Sequence, residues 1–232
     1  MKSIAIIPAR GGSKRIPLKN IRDFNGKPII AYSIIAALES KLFTNVVVST
    51  DSQEIGQIAK SYGAEFVRVR PKDLSDDFAT SDKVICDEIS YLRTETMLEF
   101  DYVACIYATA PMITKELIKA TQRKFLENPN SYLFAATKIQ SPIERSYILN
   151  NDGTVSLSHF DSYSIRSQDF PERYFDAGQI YWGTPEIWNR LANKLETKNH
   201  VFELNWSHGV DIDTLDDWKM AELLAKFIKF ES

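Results

Sequence analysis

What is scarce in this chain already narrows its function. Only two cysteines occur in 232 residues, Cys86 and Cys105. Each sits in an apolar setting without the paired spacing of a zinc site or a secreted disulfide framework, so both read as buried free thiols. The three histidines, His159, His200 and His208, are too widely separated to mark a metal-ligand set or a catalytic dyad. Positive charge is not in excess either. The net charge of -3 argues against a general nucleic-acid binder. No apolar run is long enough to cross a bilayer, and a basic segment interrupts the hydrophobicity after Ile7, so neither a signal peptide nor a membrane partner is expected. A cytoplasmic location is the expectation. Neither G-x-x-x-x-G-K-[ST] nor a G-x-G-x-x-G opening into a helix is present, which excludes a P-loop and the standard dinucleotide fingerprint.

What is present is concentrated near the start. Ile4, Ala5, Ile6 and Ile7 form the short continuous apolar run of a buried parallel strand. The segment Pro8 to Asn20 therefore leaves the strand at its carboxyl end, where ligands bind in open α/β sheets. Gly11 and Gly12 let the backbone approach a ligand and expose its N–H groups. Arg10, Lys14, Arg15, Lys19 and Arg22 supply five cations, with no carboxylate between Arg10 and Arg22. The pattern reads as a triphosphate cradle; its position after a first buried strand weighs against a merely solvated basic loop. A helix begins only near Pro28, so side chains and turn amides, more than a helix dipole, would meet the phosphate charge.

Beyond the loop, strand and helix signals alternate. Pro28 to Ser40 is helical, Val46 to Val48 apolar and strand-like, Gln53 to Tyr62 helical with Gly63 at its end, and Glu65 to Val69 a short strand. A helix over 80–98, a strand over 102–107 and a helix over 114–127 continue the series. Between 139 and 175 the alternation stops. Asn150 to Thr154 has hairpin turn chemistry between Tyr147-Ile148-Leu149 and Val155-Ser156-Leu157. Gly178 to Trp182 returns to a strand, and Leu215 to Lys229 forms an amphipathic closing helix. Residues 1–232 read as one α/β domain with a mostly parallel, Rossmann-like, three-layer sheet, and 139–175 as an arm or flap inserted in it.

Asp211 and Asp213 are two apart, so on extended backbone they share a face and can meet a hard cation together. Mg²⁺ binds through one or two carboxylates plus phosphate oxygens and water, which suits this pair beside a triphosphate. Helix initiation is the competing explanation: Thr214 can cap the last helix, with Asp216 and Asp217 in its first turn. Thr50-Asp51 ends a strand at the same edge as the basic loop, where Asp51 either reaches a nucleotide or caps the next helix. Trp182, Trp188, Trp206 and Trp218 occur in apolar contexts and read as packing residues.

Ala9 to Asn20 resembles the amino-terminal signature of the CMP-sugar synthetases, which activate sialic acids and related nine-carbon acids with CTP. Further landmarks follow in that family's order: Val48 to Asp51, Arg70-Pro71 with Ser75 to Ser81, Ala108 to Pro111, Arg166 to Tyr181, and Asp211 to Thr214. The resemblance implies cytidylyl transfer from CTP to a nonulosonic acid, with Mg²⁺ as cofactor. Such transfer needs charge neutralisation at the α-phosphate and the departing pyrophosphate, and in-line placement of the attacking oxygen. Arg10, Lys14 and Lys19 are accordingly assigned to the phosphates, with Asp211 completing the catalytic set. Ser13 and the amides at Gly11 and Gly12 act as donors. By motif match, Ala9, Arg10, Asn20, Arg70 and Ser81, with the adjacent Thr80, belong to the nucleotide site; a plain helix start at Thr80-Ser81-Asp82 is the alternative. Arg15 and Arg22 read as surface charges. The family also implies that the 139–175 arm crosses to a second subunit, making a homodimer.

The acceptor side departs from the sialic acid pattern. Tyr107-Ala108-Thr109-Ala110-Pro111 stands where a Gln-Pro-Thr-Ser-Pro segment is typical, and Asp176-Ala177-Gly178-Gln179-Ile180-Tyr181 replaces an Asn-Gly-Ala-Ile-Tyr ending. Both, with Arg166-Ser167-Gln168-Asp169, are similar to the family's pseudaminic acid branch. Tyr107 and Thr109 thus belong to the acceptor pocket. Arg166 is the candidate for the sugar carboxylate, or else pairs with Asp161 or Asp169; Gln179 reads an acetamido group, or else bonds within its strand.

Overall fold

Ile4 and Ile6 face one side of a sheet and Ala5 and Ile7 the other, and all four are fully buried. A strand apolar on both faces requires cover on both, which is the condition for a three-layer α/β/α arrangement. The computed structural model describes residues 1–71, 74–75, 79–158 and 164–231. His159, Asp161 and part of the Ser75 to Ser81 landmark fall outside the described residues.

The strands are β1 (Ser3–Pro8), the short pair β2 (Asp23–Phe24) and β3 (Lys27–Pro28), β4 (Phe43–Thr50), β5 (Phe66–Val69), β6 (Tyr102–Ile106), β7 (Tyr132–Lys138), β8 (Tyr147–Leu149), β9 (Val155–Leu157), β10 (Tyr174–Gly183) and β11 (Asn199–Leu204). The helices are α1 (Ile29–Ser40), α2 (Gln53–Ser61), α3 (Ser81–Glu95), α4 (Lys115–Leu126), α5 (Pro185–Ala192) and α6 (Leu215–Glu231). Seven strands form the central sheet in the order β11-β7-β10-β6-β1-β4-β5. All run parallel except β10, which is antiparallel to both β6 and β7. Ala5, Ile7, Val46, Val48, Ala104 and Ile106 pack against α1, α2 and α4. Ile4, Ile6, Val47, Val103 and Cys105 pack against α3 and Trp188 of α5.

Helix starts follow local chemistry. Ser52, Thr80, Thr114 and Thr184 each accept a bond from the backbone N–H three residues on, satisfying an otherwise orphaned donor. The expected mostly parallel α/β fold is observed. The closing helix and the hairpin turn at 150–154 lie where the sequence places them, the turn closed by Asn150 N–H to Thr154 O at 2.9 Å. Not expected from the sequence were β11, a half-buried edge strand whose His200 and Glu203 break the apolar pattern, and the eight-residue α5, although its Thr184 cap and Pro185 in the first turn are start signals. Trp182, Trp188 and Trp218 are packed as expected, whereas Trp206 is 60% exposed, because the turn following β11 projects it outward. Cys105 is buried, Cys86 half-buried, and both are free thiols. Among the described residues, no helix is long and apolar enough to cross a membrane.

The antiparallel course of β10 matters for the site. Its first residues lie at the edge where the parallel strands end, so Asp176 to Gln179 join the loops after β1, β4 and β6. The step from Asp176 to Tyr181 on β10 spans only Ala136 to Phe134 on β7, a bulge that takes Ala177, Gly178 and Gln179 out of the ladder.

Candidate active site

The loop after β1 is fixed from three directions. Ala9, fully buried, donates its N–H to Ser49 O at 2.8 Å, extending the pairing with β4. Gly11 donates its N–H to Asp51 Oδ1 at 2.6 Å, so the carboxylate at the end of β4 holds the loop's first turn. Asn20, on one tight helical turn over Lys19–Ile21, donates from Nδ2 to Arg10 O at 2.8 Å and closes the loop's base. Glycine at 11 allows a close approach, since a Cβ there would stand 3.2 Å from Ser52 Cβ; at Gly12 a Cβ would meet nothing within 4 Å.

These restraints leave an open cleft of about 340 Å³ above the carboxyl edge of the sheet. Arg10, Ser13, Lys14, Arg15, Lys19 and Asn20 line it from the loop. Arg70, Ser81, Tyr107, Ala108 and Thr109 form the other wall. Five cations thus face a single carboxylate, Asp213, among the described residues that line the cleft. Asp213 accepts from Arg15 Nη2 at 2.9 Å and lies 3.5 Å from Lys19 Nζ, which also donates to Ile212 O at 2.6 Å. Arg15 is therefore a cleft residue that sequence reasoning set aside. Its contact is with a residue nearly two hundred positions away, and no local signal separates it from Arg22, which lies over the Trp218 ring instead. Burial lowers the Arg70 pKa, against the opposing pull of the Asp51 and Glu88 carboxylates.

The carboxyl-terminal acidic segment divides its work. Asp217 accepts bonds from the N–H groups of Thr214, at 2.7 Å, and Asp213, at 3.1 Å, while Thr214 Oγ1 accepts from Asp217 N–H at 3.2 Å. This is a reciprocal cap for α6. Burial opposes ionisation of Asp217, but the Thr214 hydroxyl and the two amides hold its carboxyl below the ordinary value. Helix capping thus occupies Thr214 and Asp217; Asp213 lines the cleft, whereas Asp211 is not among its lining residues. The segment from Asp211 to Asp213 belongs to no strand or helix; Ile212 is fully buried between the two more accessible carboxylates. Burial first, then Asp213 and Asp176, raise the Asp211 carboxyl above its ordinary value, while Lys19 pulls the other way. The Asp211 carboxylate packs directly over Gly178, whose φ is +62°.

On the wall opposite the loop, Tyr107 shares a 2.9 Å hydrogen bond with Ser81 Oγ, and its ring lies 5.0 Å from that of Tyr181. The Tyr181 hydroxyl donates to Asp176 Oδ1 at 2.8 Å, an oxygen that also accepts the Gly178 N–H at 2.9 Å. Burial pushes both phenols well above their usual values. Burial, with Asp176 contributing, also raises the Asp82 carboxyl.

Some candidates stand apart from the cleft lining. Thr80 caps α3, and Asp51 holds the Gly11 amide. Gln179 is fully buried; its side-chain amide donates to His208 O, and its carbonyl accepts the Tyr107 N–H at 2.9 Å. It therefore ties the bulge of β10 to the ends of β6 and β11. Arg166 makes a bidentate pair with Asp169, with Nε to Oδ2 at 2.8 Å and Nη2 to Oδ1 at 3.1 Å, and its side chain is 72% exposed.

Comparison with known proteins places this geometry. A family model described as cytidylyltransferase matches residues 4–189. The chain is 44% identical to a pseudaminic acid cytidylyltransferase of Campylobacter jejuni, with 97% of each chain covered. It is 34% identical to a CMP-N,N'-diacetyllegionaminic acid synthase of Legionella pneumophila, over 97% of this chain and 96% of that one. Among solved structures, a CMP:2-keto-3-deoxy-manno-octonic acid synthetase complexed with CTP superposes with a TM-score of 0.70 over 98% of this chain and 100% of that one; at 17% identity the likeness is one of fold. A cation-lined cleft at the carboxyl edge of a mostly parallel sheet, a family model over most of the chain and end-to-end relatives agree: this chain belongs to the cytidylyltransferase family of nucleotidyltransferases.

Proposed function

We propose that this protein transfers the cytidylyl group of CTP to pseudaminic acid, releasing pyrophosphate. The anomeric hydroxyl oxygen forms a bond to the α-phosphorus as the bond from that phosphorus to the bridging oxygen of pyrophosphate breaks, and the hydroxyl proton is lost to water. The observation that carries the chemistry is the set of five cations gathered around one carboxylate above the sheet edge. Arg10, Lys14, Lys19 and Arg15 oppose the charge that builds on the phosphates, and Ser13 with the amides of Gly11 and Gly12 donates to their oxygens. The wall of Arg70, Ser81, Tyr107 and Thr109 orients the two substrates. The choice of acceptor is supported by the 44% identity to the Campylobacter enzyme and by the Asp176 to Tyr181 segment.

Asp211 and Asp213 would hold Mg²⁺. The residues fit the ion in kind, since Asp211 and Asp213 offer the hard carboxylate oxygens it takes and Asp213 stands on the cleft wall. When bound, the ion neutralises phosphate charge. Arg166 and Gln179 are assigned to the acceptor side, Arg166 by releasing Asp169 for the sugar carboxylate. The working unit is a homodimer in the cytoplasm, joined through the 139–175 arm. Tyr147, Ile148, Leu149 and Val155 are more than half exposed on a two-stranded hairpin, apolar surface that a second subunit would cover.

The test is pyrophosphate release from CTP and Mg²⁺ with pseudaminic acid and N-acetylneuraminic acid offered in parallel. Release with pseudaminic acid is expected. Release only with N-acetylneuraminic acid would keep the chemistry and overturn the acceptor; release with neither would overturn the transfer.

A further inference from the structure

On a regular strand, residues five apart stand about 17 Å from one another and on opposite faces. Asp176 and Tyr181 do not, for the Tyr181 hydroxyl donates to Asp176 Oδ1 at 2.8 Å. The bulge of β10 brings them together, since Asp176 is registered to Ala136 and Tyr181 to Phe134, only two residues along β7. Gly178 N–H, inside the bulge, donates to the same oxygen at 2.9 Å. Two donors thus fix one carboxylate oxygen, and with it the aim of the other. Asp176 is exposed, and its Oδ2 makes no hydrogen bond or ion pair among the described residues. Asp169 and Glu172, earlier in the same segment, pair with Arg166 and Lys138. Asp176 is oriented without a cation, on the kind of bulge that re-aims side chains beside active sites.

Its place is the rim of the cleft. Ile180 of β10 is registered to Ile106, the last residue of β6, so the residues before Ile180 project past the sheet edge. Tyr107 follows at that edge as part of the cleft wall, its ring 5.0 Å from that of Tyr181. On the other side Gly178 lies under Asp211, two residues from the cleft carboxylate Asp213. The cleft lining itself does not include Asp176. Gln179, the acceptor reader expected from the sequence, is turned inward onto His208 O, whereas the same bulge turns Asp176 outward.

We infer that Asp176 is a specificity-determining residue for the acceptor: its outward oxygen accepts a hydrogen bond from a donor on the sugar acid, an acylamino N–H or a hydroxyl, while Tyr181 and Gly178 hold it in place. The inference rests on the transfer reading above and deepens it. An ionised carboxylate can only accept, so an acid lacking the donor leaves that oxygen unpaired.

The experiment measures KM for pseudaminic acid and for CTP in variants of the full chain, with calorimetric binding of the acid in the presence of CTP alongside. Asp176→Ala is expected to raise KM for the acid about tenfold, with KM for CTP and kcat within about threefold. Asp176→Asn separates the two donors. Its amide oxygen must face Tyr181 and Gly178, which both donate, so its NH2 takes the outward place. Against an N–H this sets donor to donor and costs as much as alanine; against a hydroxyl, which also accepts, it costs little. Tyr181→Phe raises KM for the acid about threefold, and has no further effect in an Asp176→Ala background. If Asp176→Ala does not fold, Asp176→Ser, which keeps an acceptor for the two donors and ends short of the outward position, carries the same test. Unchanged KM for the acid, an equal rise in both KM values, or a Tyr181→Phe effect that persists without Asp176 overturns the proposal. A wild-type chain that binds pseudaminic acid with CTP but releases no pyrophosphate sinks the transfer reading and leaves Asp176 decided by calorimetry. One that uses N-acetylneuraminic acid alone overturns the acceptor named above, and the same variants are read with that acid. One that binds neither acid sinks both.

Discussion

The Asp211 carboxylate occupies the space a side chain at position 178 would need: a Cβ on Gly178 would stand 2.9 Å from Asp211 Oδ1 and 3.0 Å from its Cγ. The positive φ of +62° adds backbone strain of about 1–2 kcal/mol for any L side chain. Gly178→Ala should therefore displace Asp211 and lower kcat by about 10²-fold with CTP still bound. Gly12→Ala, whose Cβ would meet nothing within 4 Å, should by contrast leave the melting temperature little changed. Wild-type kcat in Gly178→Ala would show that the Asp211 position does not matter to turnover.

The titration of Asp211 gives a second prediction. Its carboxyl is raised from 3.8 by burial and by Asp213 and Asp176, so folding favours the protonated form. The resulting stability is present below the ordinary value and is lost as pH climbs through the raised one. Without divalent cation, Asp211→Asn should melt higher than wild type at pH 7, and the two should converge as pH falls toward 3.8. Added Mg²⁺ should raise the melting temperature of the wild type more than that of the variant, and the variant should lose about 10²-fold or more in pyrophosphate release. Identical melting at neutral pH would mean that its neighbours do not disfavour the charged form.

Arg15 and Arg22 separate two cations that look alike in sequence. Arg15 binds Asp213 at 2.9 Å on the cleft wall, and Arg22 lies 5.4 Å from the Trp218 ring centroid. Arg15→Ala should raise KM for CTP about tenfold. Arg22→Ala should leave KM alone and lower the melting temperature by a few degrees at most, about the worth of one exposed cation–π contact. Steady-state kinetics at fixed ionic strength decides between them, because added salt screens exposed charges.

The hairpin of β8 and β9 gives the fourth. Leu149 is 72% exposed and Ile148 55% exposed, and a two-stranded ribbon of this size is marginal alone. Leu149→Lys together with Ile148→Lys should shift the sedimentation coefficient from dimer to monomer without unfolding the sheet. Circular dichroism checks the fold. A variant that sediments like the wild type would place any self-association elsewhere.

The sequence by itself determined whatever depends on near neighbours. The run from Ile4 to Ile7 fixes a doubly covered strand, the polar capping residues fix helix starts, and Asn150 to Thr154 fixes the hairpin turn, because each signal acts within a few residues. The basic loop was legible for the same reason, as was the mostly parallel sheet that places it at a ligand-binding edge. Tertiary structure alone decided which cations face the cleft, since Arg15 is chosen over Arg22 by an aspartate nearly two hundred positions away. It also turned β10 antiparallel, which brings the Gly178 bulge under Asp211 and buries Gln179 against His208. It set Arg166 against Asp169 rather than against the cleft. Such contacts are settled by chain topology and by the desolvation of charges, and neither leaves a periodic trace in the order of residues.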